Sequence, residues 1–117
     1  MPNFHASLDG AFHALSDPTR RAIVAQLSKR PQTVGELSRP FPVALPTLLQ
    51  HIRVLEQSGL VSTEKRGRVR TCALRREGLE VTEAWLAEQR RVWEARLDQL
   101  DAYVASIHEE NERNGRK

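Results

Sequence analysis

The chain lacks most of the residue patterns that carry recognisable chemistry. It has one cysteine, Cys72, so no internal disulfide can form and a reducing cytoplasm is the expected setting. No apolar run approaches the roughly 20 residues needed to span a bilayer, so no membrane partner is expected. The opening MPNFHASLDG offers neither a basic stretch nor a long apolar one, and export is not expected either. There is no Gly-rich phosphate loop, no supported Ser-His-Asp order and no pair of carboxylates in a defined pocket. No enzymatic activity and no cofactor are therefore expected. Between Gly78 and Gly115 there is neither proline nor glycine, so nothing there breaks a helix.

What remains is charge, and it is unevenly placed. Residues 17–76 hold twelve Lys/Arg against four Asp/Glu, while residues 77–117 hold six against ten. A basic middle attracts phosphate, although composition alone reads equally well as a solvated basic surface. At 117 residues the chain is long enough for one domain with a modest core. The expected extent is a single domain over 1–110, with dimerisation helices at both ends and a frayed tail over 111–117.

The order of elements is legible from caps and breakers. Phe4, Leu8, Phe12 and Leu15 follow one helical stripe, predicting a first helix from Phe4 to Leu15. Asp17 and Pro18 open a second helix to about Lys29 that buries Ile23, Val24 and Leu27. Thr33 and Glu36 form a capping-box pattern for a short third helix through Leu37 and Ser38. Arg39-Pro40-Phe41-Pro42 is a turn, because two prolines exclude helix there. A fourth helix begins around Pro46, turns Leu48, Ile52 and Leu55 inward, and ends at Gly59. Leu60 to Lys65 and Arg68 to Leu74 read as strands around Arg66-Gly67, with Cys72 and Leu74 on the inward face. A last helix of about 30 residues, roughly 45 Å, follows. The fold expected is mainly α with a small β-hairpin wing: a winged helix-turn-helix with a long C-terminal dimerisation helix.

In that arrangement the fourth helix lies in a DNA major groove. With its core stripe committed, Pro46, Thr47, Leu49 and Gln50 remain outward. Gln50 can pair bidentately with adenine, Thr47 can donate or accept, and Leu49 can touch a thymine methyl. His51 and Arg53 suit phosphates or packing back on the domain. Lys65, Arg66, Arg68 and Arg70 crowd the hairpin tip, where like charges destabilise a ribbon unless a polyanion offsets them. A minor groove would supply that offset; edge-strand protection by charge is the plainer reading. An outward Leu45 and Leu49 also leave open a protein-docking surface.

The stretches FHALSDPTRRAIVAQL, TVGELSRPF, LPTLLQHIRVLEQSGLV and EKRGRVRTCAL, in that order, resemble the ArsR/SmtB family of bacterial winged-helix repressors. The resemblance covers nearly everything from Phe12 to Leu74. It implies a homodimer joined through its first and last helices that binds double-stranded operator DNA and represses transcription. Family members often carry Ser at the position of Leu49 and a basic residue at that of Gln50. This chain departs at both, so a base preference cannot be borrowed.

Trp93, Leu97, Leu100, Val104 and Ile107 follow intervals of 4, 3, 4 and 3, with Leu86 seven residues before Trp93. That spacing predicts a coiled-coil-like seam between two copies, with Phe4 and Leu8 contributing from the first helix. Intramolecular packing of the stripe is the alternative. The metal and redox patterns of the family are not met. Glu36 to Phe41 holds no thiolate pair, Cys72 is alone, and the last helix offers only His108 with Glu109 and Glu110. His5, Asp9 and His13 lie four apart on one helical face and could hold zinc or nickel with a further group, but such a triplet is more often a wet helix face, and no metal is expected. No inducer is indicated.

Overall fold

Ser7 opens the first helix of the computed structural model, which describes residues 7–115. Its hydroxyl accepts from the Gly10 N–H at 3.0 Å, and α1 runs Leu8–Leu15. The expected start at Phe4, like His5, lies outside the described residues. Ala11 and Ala14 are the fully buried residues of α1; of the Leu8–Phe12–Leu15 stripe, Leu15 packs partly buried against the core and Phe12 is 40% exposed. Small side chains let α1 lie close on its neighbours α2 (Pro18–Leu27) and α4 (Leu45–Gln57).

Helix α2 begins as the Asp17-Pro18 pair predicts. The Asp17 carboxylate accepts from the Arg20 N–H at 3.0 Å, and Pro18 occupies the first turn. Arg20 then reaches back to the end of α1, donating to the Ala14 and His13 carbonyls at 2.7 and 3.1 Å. Arg21 does the same to Leu15 at 2.8 Å. Two arginines thus satisfy carbonyls that a helix end leaves open.

A two-residue strand, β1 (Gln32–Thr33), precedes α3 (Val34–Ser38). The capping box forms in both directions: Glu36 N–H to Thr33 Oγ1 and Thr33 N–H to Glu36 Oε1, each 3.1 Å. After the proline turn, α4 buries Leu48, Ile52 and Leu55. Gly59, at φ +82°, turns the chain into β2 (Val61–Arg66), a left-handed conformation that suits glycine. β3 (Val69–Leu74) pairs antiparallel with both β2 and β1, giving the order β1-β3-β2. The hairpin tip is Gly67-Arg68, one residue later than the sequence suggests. Gly67, at φ +63°, takes the first central position of a two-residue loop, where glycine is favoured.

The core joins Ile23, Leu27, Leu37, Leu48, Ile52, Leu55, Leu60, Val61 and Cys72. Burial pushes the Cys72 thiol from its usual 9.0 up to about 11; nearby Arg70 draws it down and Glu56 raises it further, both more weakly. At neutral pH a thiol-alkylating reagent should therefore label the native protein far more slowly than the unfolded chain. The raised pKa also sets a pH dependence. The unfolded thiol ionises near 9 and the native one near 11, so stability should fall as pH rises through that window. Denaturant titrations from pH 7 to 11 check the sign.

The last helix, α5, runs Arg76–Gly115, 40 residues rather than about 30. Ion pairs one turn apart, Arg91 with Glu88 and His108 with Glu112, add to the absence of breakers. Residues 111–115, expected to fray, are helical. By its internal contacts the chain divides into two compact units, Met1–Glu83 and Ala84–Lys117. The second unit is a stretch of α5. Among the described residues no helix is long and apolar enough to cross a membrane.

Candidate nucleic-acid interface

Helix α4 presents three flanks. Leu48, Ile52 and Leu55 face the core. Pro46, Gln50 and Arg53 project from the opposite, exposed side, as spacings of 4 and 3 require. Leu45 and Leu49 lie between, 51% and 37% exposed. They do not stand on the outermost face; they line a cleft of about 420 Å³ whose other wall is the wing, through Lys65, Arg68, Val69 and Arg70, with Thr33, Val34 and Gly35 closing it. The amino-terminal end of α4 has no side-chain cap, so its first amides stay open to a phosphate or to water.

Thr47 is exposed on the far flank, next to the half-buried His51. The His51 ring packs back on the domain. Its Nδ1 lies 3.3 Å from Arg20 Nη1, which donates to it, and 3.9 Å from Asp17 Oδ2. The Arg20 backbone N–H holds Asp17 below its usual carboxylate value, and the charges of His51 and Arg20 act in the same direction. Of the two roles the sequence left open for His51, the geometry displays packing.

The wing cations, read from sequence as one cluster, divide between two faces. Arg70 stands opposite Lys65 and two residues from Cys72, so both share the face that Cys72 buries at the root of the hairpin. Arg66 is on the other face, paired with Glu64 at 3.1 Å and largely exposed. Such a surface pair holds its partners weakly. Arg68 sits in the tip. Val34 and Val69, which line the cleft, were not singled out from sequence, nor was Glu56, which accepts a hydrogen bond from the Thr63 hydroxyl. Glu56 had one signal, since it lies seven residues after Leu49 and so on the same flank of α4.

In the second unit, Leu86, Trp93, Leu97, Leu100, Val104 and Ile107 are all exposed, Trp93 at 64%. Leu86, Trp93 and Leu97 line an apolar groove along one side of the helix. Leu8 on α1 is half-buried, and Phe4 lies outside the described residues. Asp9 and His13 are on α1, but the third member of the triplet, His5, lies outside them too.

A family model described as a helix-turn-helix domain matches residues 15–64, the span from the end of α1 into β2. A solved structure of an ArsR family transcriptional regulator, RHA00566, is 55% identical at a TM-score of 0.72, with 74% of this chain and 96% of that one covered. The chain belongs to the ArsR family of transcriptional regulators. The HTH-type transcriptional regulator Rv2034 of Mycobacterium tuberculosis is 44% identical over 75 residues, 64% of this chain and 70% of the relative. The transcriptional repressor SdpR of Bacillus subtilis is 32% identical over 60 residues, 51% of this chain and 67% of that one. An ArsR regulator is a DNA-binding protein. In this member the helix-turn-helix ends in α4, and the mainly helical fold carries its small antiparallel wing directly after it.

Proposed function

We propose that this ArsR family protein is a cytoplasmic homodimeric repressor that reads operator DNA through α4 and grips it with the wing. One observation supports this most: α4 buries Leu48, Ile52 and Leu55 while exposing Thr47, Gln50 and Arg53 beside a hairpin with four exposed cations. Thr47, Leu49 and Gln50, entered through Pro46, take the base edges. Arg53, with His51 when it leaves Asp17, takes phosphates. Lys65, Arg66, Arg68 and Arg70 take the neighbouring backbone and minor groove. The seam of Leu86, Trp93, Leu97, Leu100, Val104 and Ile107, with Phe4 and Leu8, joins a second copy and sets two reading helices about one DNA turn apart. Residues 1–110 then act as one functional domain, completed by dimerisation.

Gln50→Ala tests the base-reading role. Selection from a random-sequence pool supplies the operator. On that operator the variant should lose roughly 1–3 kcal/mol of binding and relax one base position, with mixed-sequence duplex almost unaffected. Equal weakening on both duplexes would remove Gln50 from base reading. Leu45 and Leu49 stand exposed in a cleft walled by Lys65, Arg68 and Arg70 rather than in an apolar patch, which favours DNA over a protein-docking role for this face.

A further inference from the structure

The antiparallel register places Thr63 opposite Cys72 and Lys65 opposite Arg70. Alternation along each strand therefore puts Thr63, Lys65, Arg70 and Cys72 on one face, the face turned toward the domain. Helix α4 packs on β2 at that face, and Glu56 of α4 meets it. The Thr63 hydroxyl donates to Glu56 Oε2 at 2.5 Å, and Arg70 Nη1 donates to Thr63 Oγ1 at 3.2 Å. A threonine hydroxyl has one proton. With that proton on Glu56, only its lone pairs face Arg70, so the chain of bonds has one direction: guanidinium, hydroxyl, carboxylate. Both Arg70 and Glu56 lie near enough to Cys72 for their charges to act on it.

We propose that Glu56 and Thr63 are positioning residues for DNA binding, a hydroxyl relay from the reading helix that holds the Arg70 guanidinium at the cleft between α4 and the wing. This rests on the DNA-binding role of the wing proposed above. The relay does two things. It places a carboxylate behind Arg70 and Lys65, like charges directly opposite one another on the ribbon. It also restricts a long, rotamer-rich side chain before the phosphate arrives, so less order is lost on binding. Because Arg70 itself is exposed, its bond to Thr63 adds little to fold stability. Its effect is on where the charge sits.

The test measures salt-dependent affinity for a mixed-sequence duplex of about 30 base pairs, long enough for two half-sites. Arg70→Ala should weaken binding about tenfold at low salt and reduce the salt slope by about one. Thr63→Val, which keeps the shape and removes the hydroxyl, should weaken binding about threefold, and Thr63→Ser should restore it. In the Arg70→Ala background, Thr63→Val should have no further effect, because it acts through Arg70. Glu56→Gln should show the same background dependence with a smaller loss, and it serves if Thr63→Val fails to fold. Additive losses, or a Thr63→Val variant that binds as the unaltered protein does while Arg70→Ala weakens, would overturn the relay alone. An Arg70→Ala variant that binds normally overturns both the relay and the wing contact. No binding of any duplex by the unaltered protein overturns the DNA reading itself.

Discussion

Leu97→Glu with Leu100→Glu should convert the protein into a monomer whose affinity for a two-half-site operator falls by roughly 10²–10⁴-fold. Both leucines are exposed in the single chain, about half of each side chain open to water. Neither belongs to the core around Ile23 and Leu55, so the winged domain should still fold, with a melting temperature that no longer depends on protein concentration. Trp93, Leu100 and Ile107 recur every seven residues and Leu97 and Val104 lie between them, the spacing of a knobs-into-holes seam. Glutamates at two adjacent seam positions would be desolvated against their own copies, unpaired and of like charge. The loss of affinity then comes from tethering. Two reading helices on one dimer bind the second half-site intramolecularly, whereas a monomer must bind each half-site anew. Arg90, seven residues before Leu97, already interrupts the stripe with a charge, a device that fixes register at some cost in stability. Gln99→Glu, outside the stripe, is the control and should leave the dimer intact. Sedimentation gives the mass and duplex titration the affinity. A dimer that survives the double substitution, or an unaltered protein that sediments as a monomer at micromolar concentration, would sink the seam.

The parts of the fold that were readable from sequence are those governed by local chemistry. Asp17 before Pro18, Thr33 three residues before Glu36, Pro46 in a first turn and Gly59 after a helical stripe each act within a few residues, and each forms the expected cap or break. Strand β1 was not readable. Two residues cannot show alternation, and Gln32 and Thr33 become a strand only because β3 passes beside them. The buried face of α1 was misleading for a related reason. Its large apolar residues mark a stripe by periodicity, whereas packing selects Ala11 and Ala14, since only a small side chain permits close approach. The site shows the same division. The exposure of Gln50 follows from helix periodicity, whereas the tip position of Arg68 does not, because the turn falls one residue later than the sequence suggests. The division of the wing cations between two faces depends on where the turn falls, and a shift of one residue moves every side chain to the other face. Glu56 and Thr63 are seven residues apart in sequence, yet they meet only because β2 folds back along α4. No local pattern announces that.

Gly78→Ala should destabilise the winged unit by about 3 kcal/mol or more, against the sign that helix propensity predicts. In an exposed helix interior, replacing glycine with alanine is worth about 1 kcal/mol in favour of folding. Gly78 is instead buried in the first turns of α5, backed against the chain where α4 ends. A Cβ there would stand 2.6 Å from the Gly59 carbonyl oxygen, 2.9 Å from its carbon and 2.9 Å from Leu60 Cδ2. The leucine carbon could move, but the Gly59 backbone has little freedom. Its φ of +82° ends α4, and the next residue is bonded on both sides, Leu60 N–H to Leu55 O at 3.0 Å and Arg75 N–H to Leu60 O at 2.8 Å. Overpacking of this kind typically costs about 1–3 kcal/mol, and a backbone obstacle puts the site at the upper end or beyond. For a unit of this size each kcal/mol lowers the melting temperature by roughly 4–8 °C. A fall of at least about 12 °C is therefore expected in thermal unfolding, with operator binding lost at temperatures where the unaltered protein still binds. Gly35→Ala is the comparison, because the nearest atom to its added Cβ is Thr33 Oγ1 at 3.8 Å, an ordinary contact. It should be neutral or slightly stabilising. If Gly78→Ala melts at or above the temperature of the unaltered protein, the close approach of α5 to Gly59 is not a feature of the folded state.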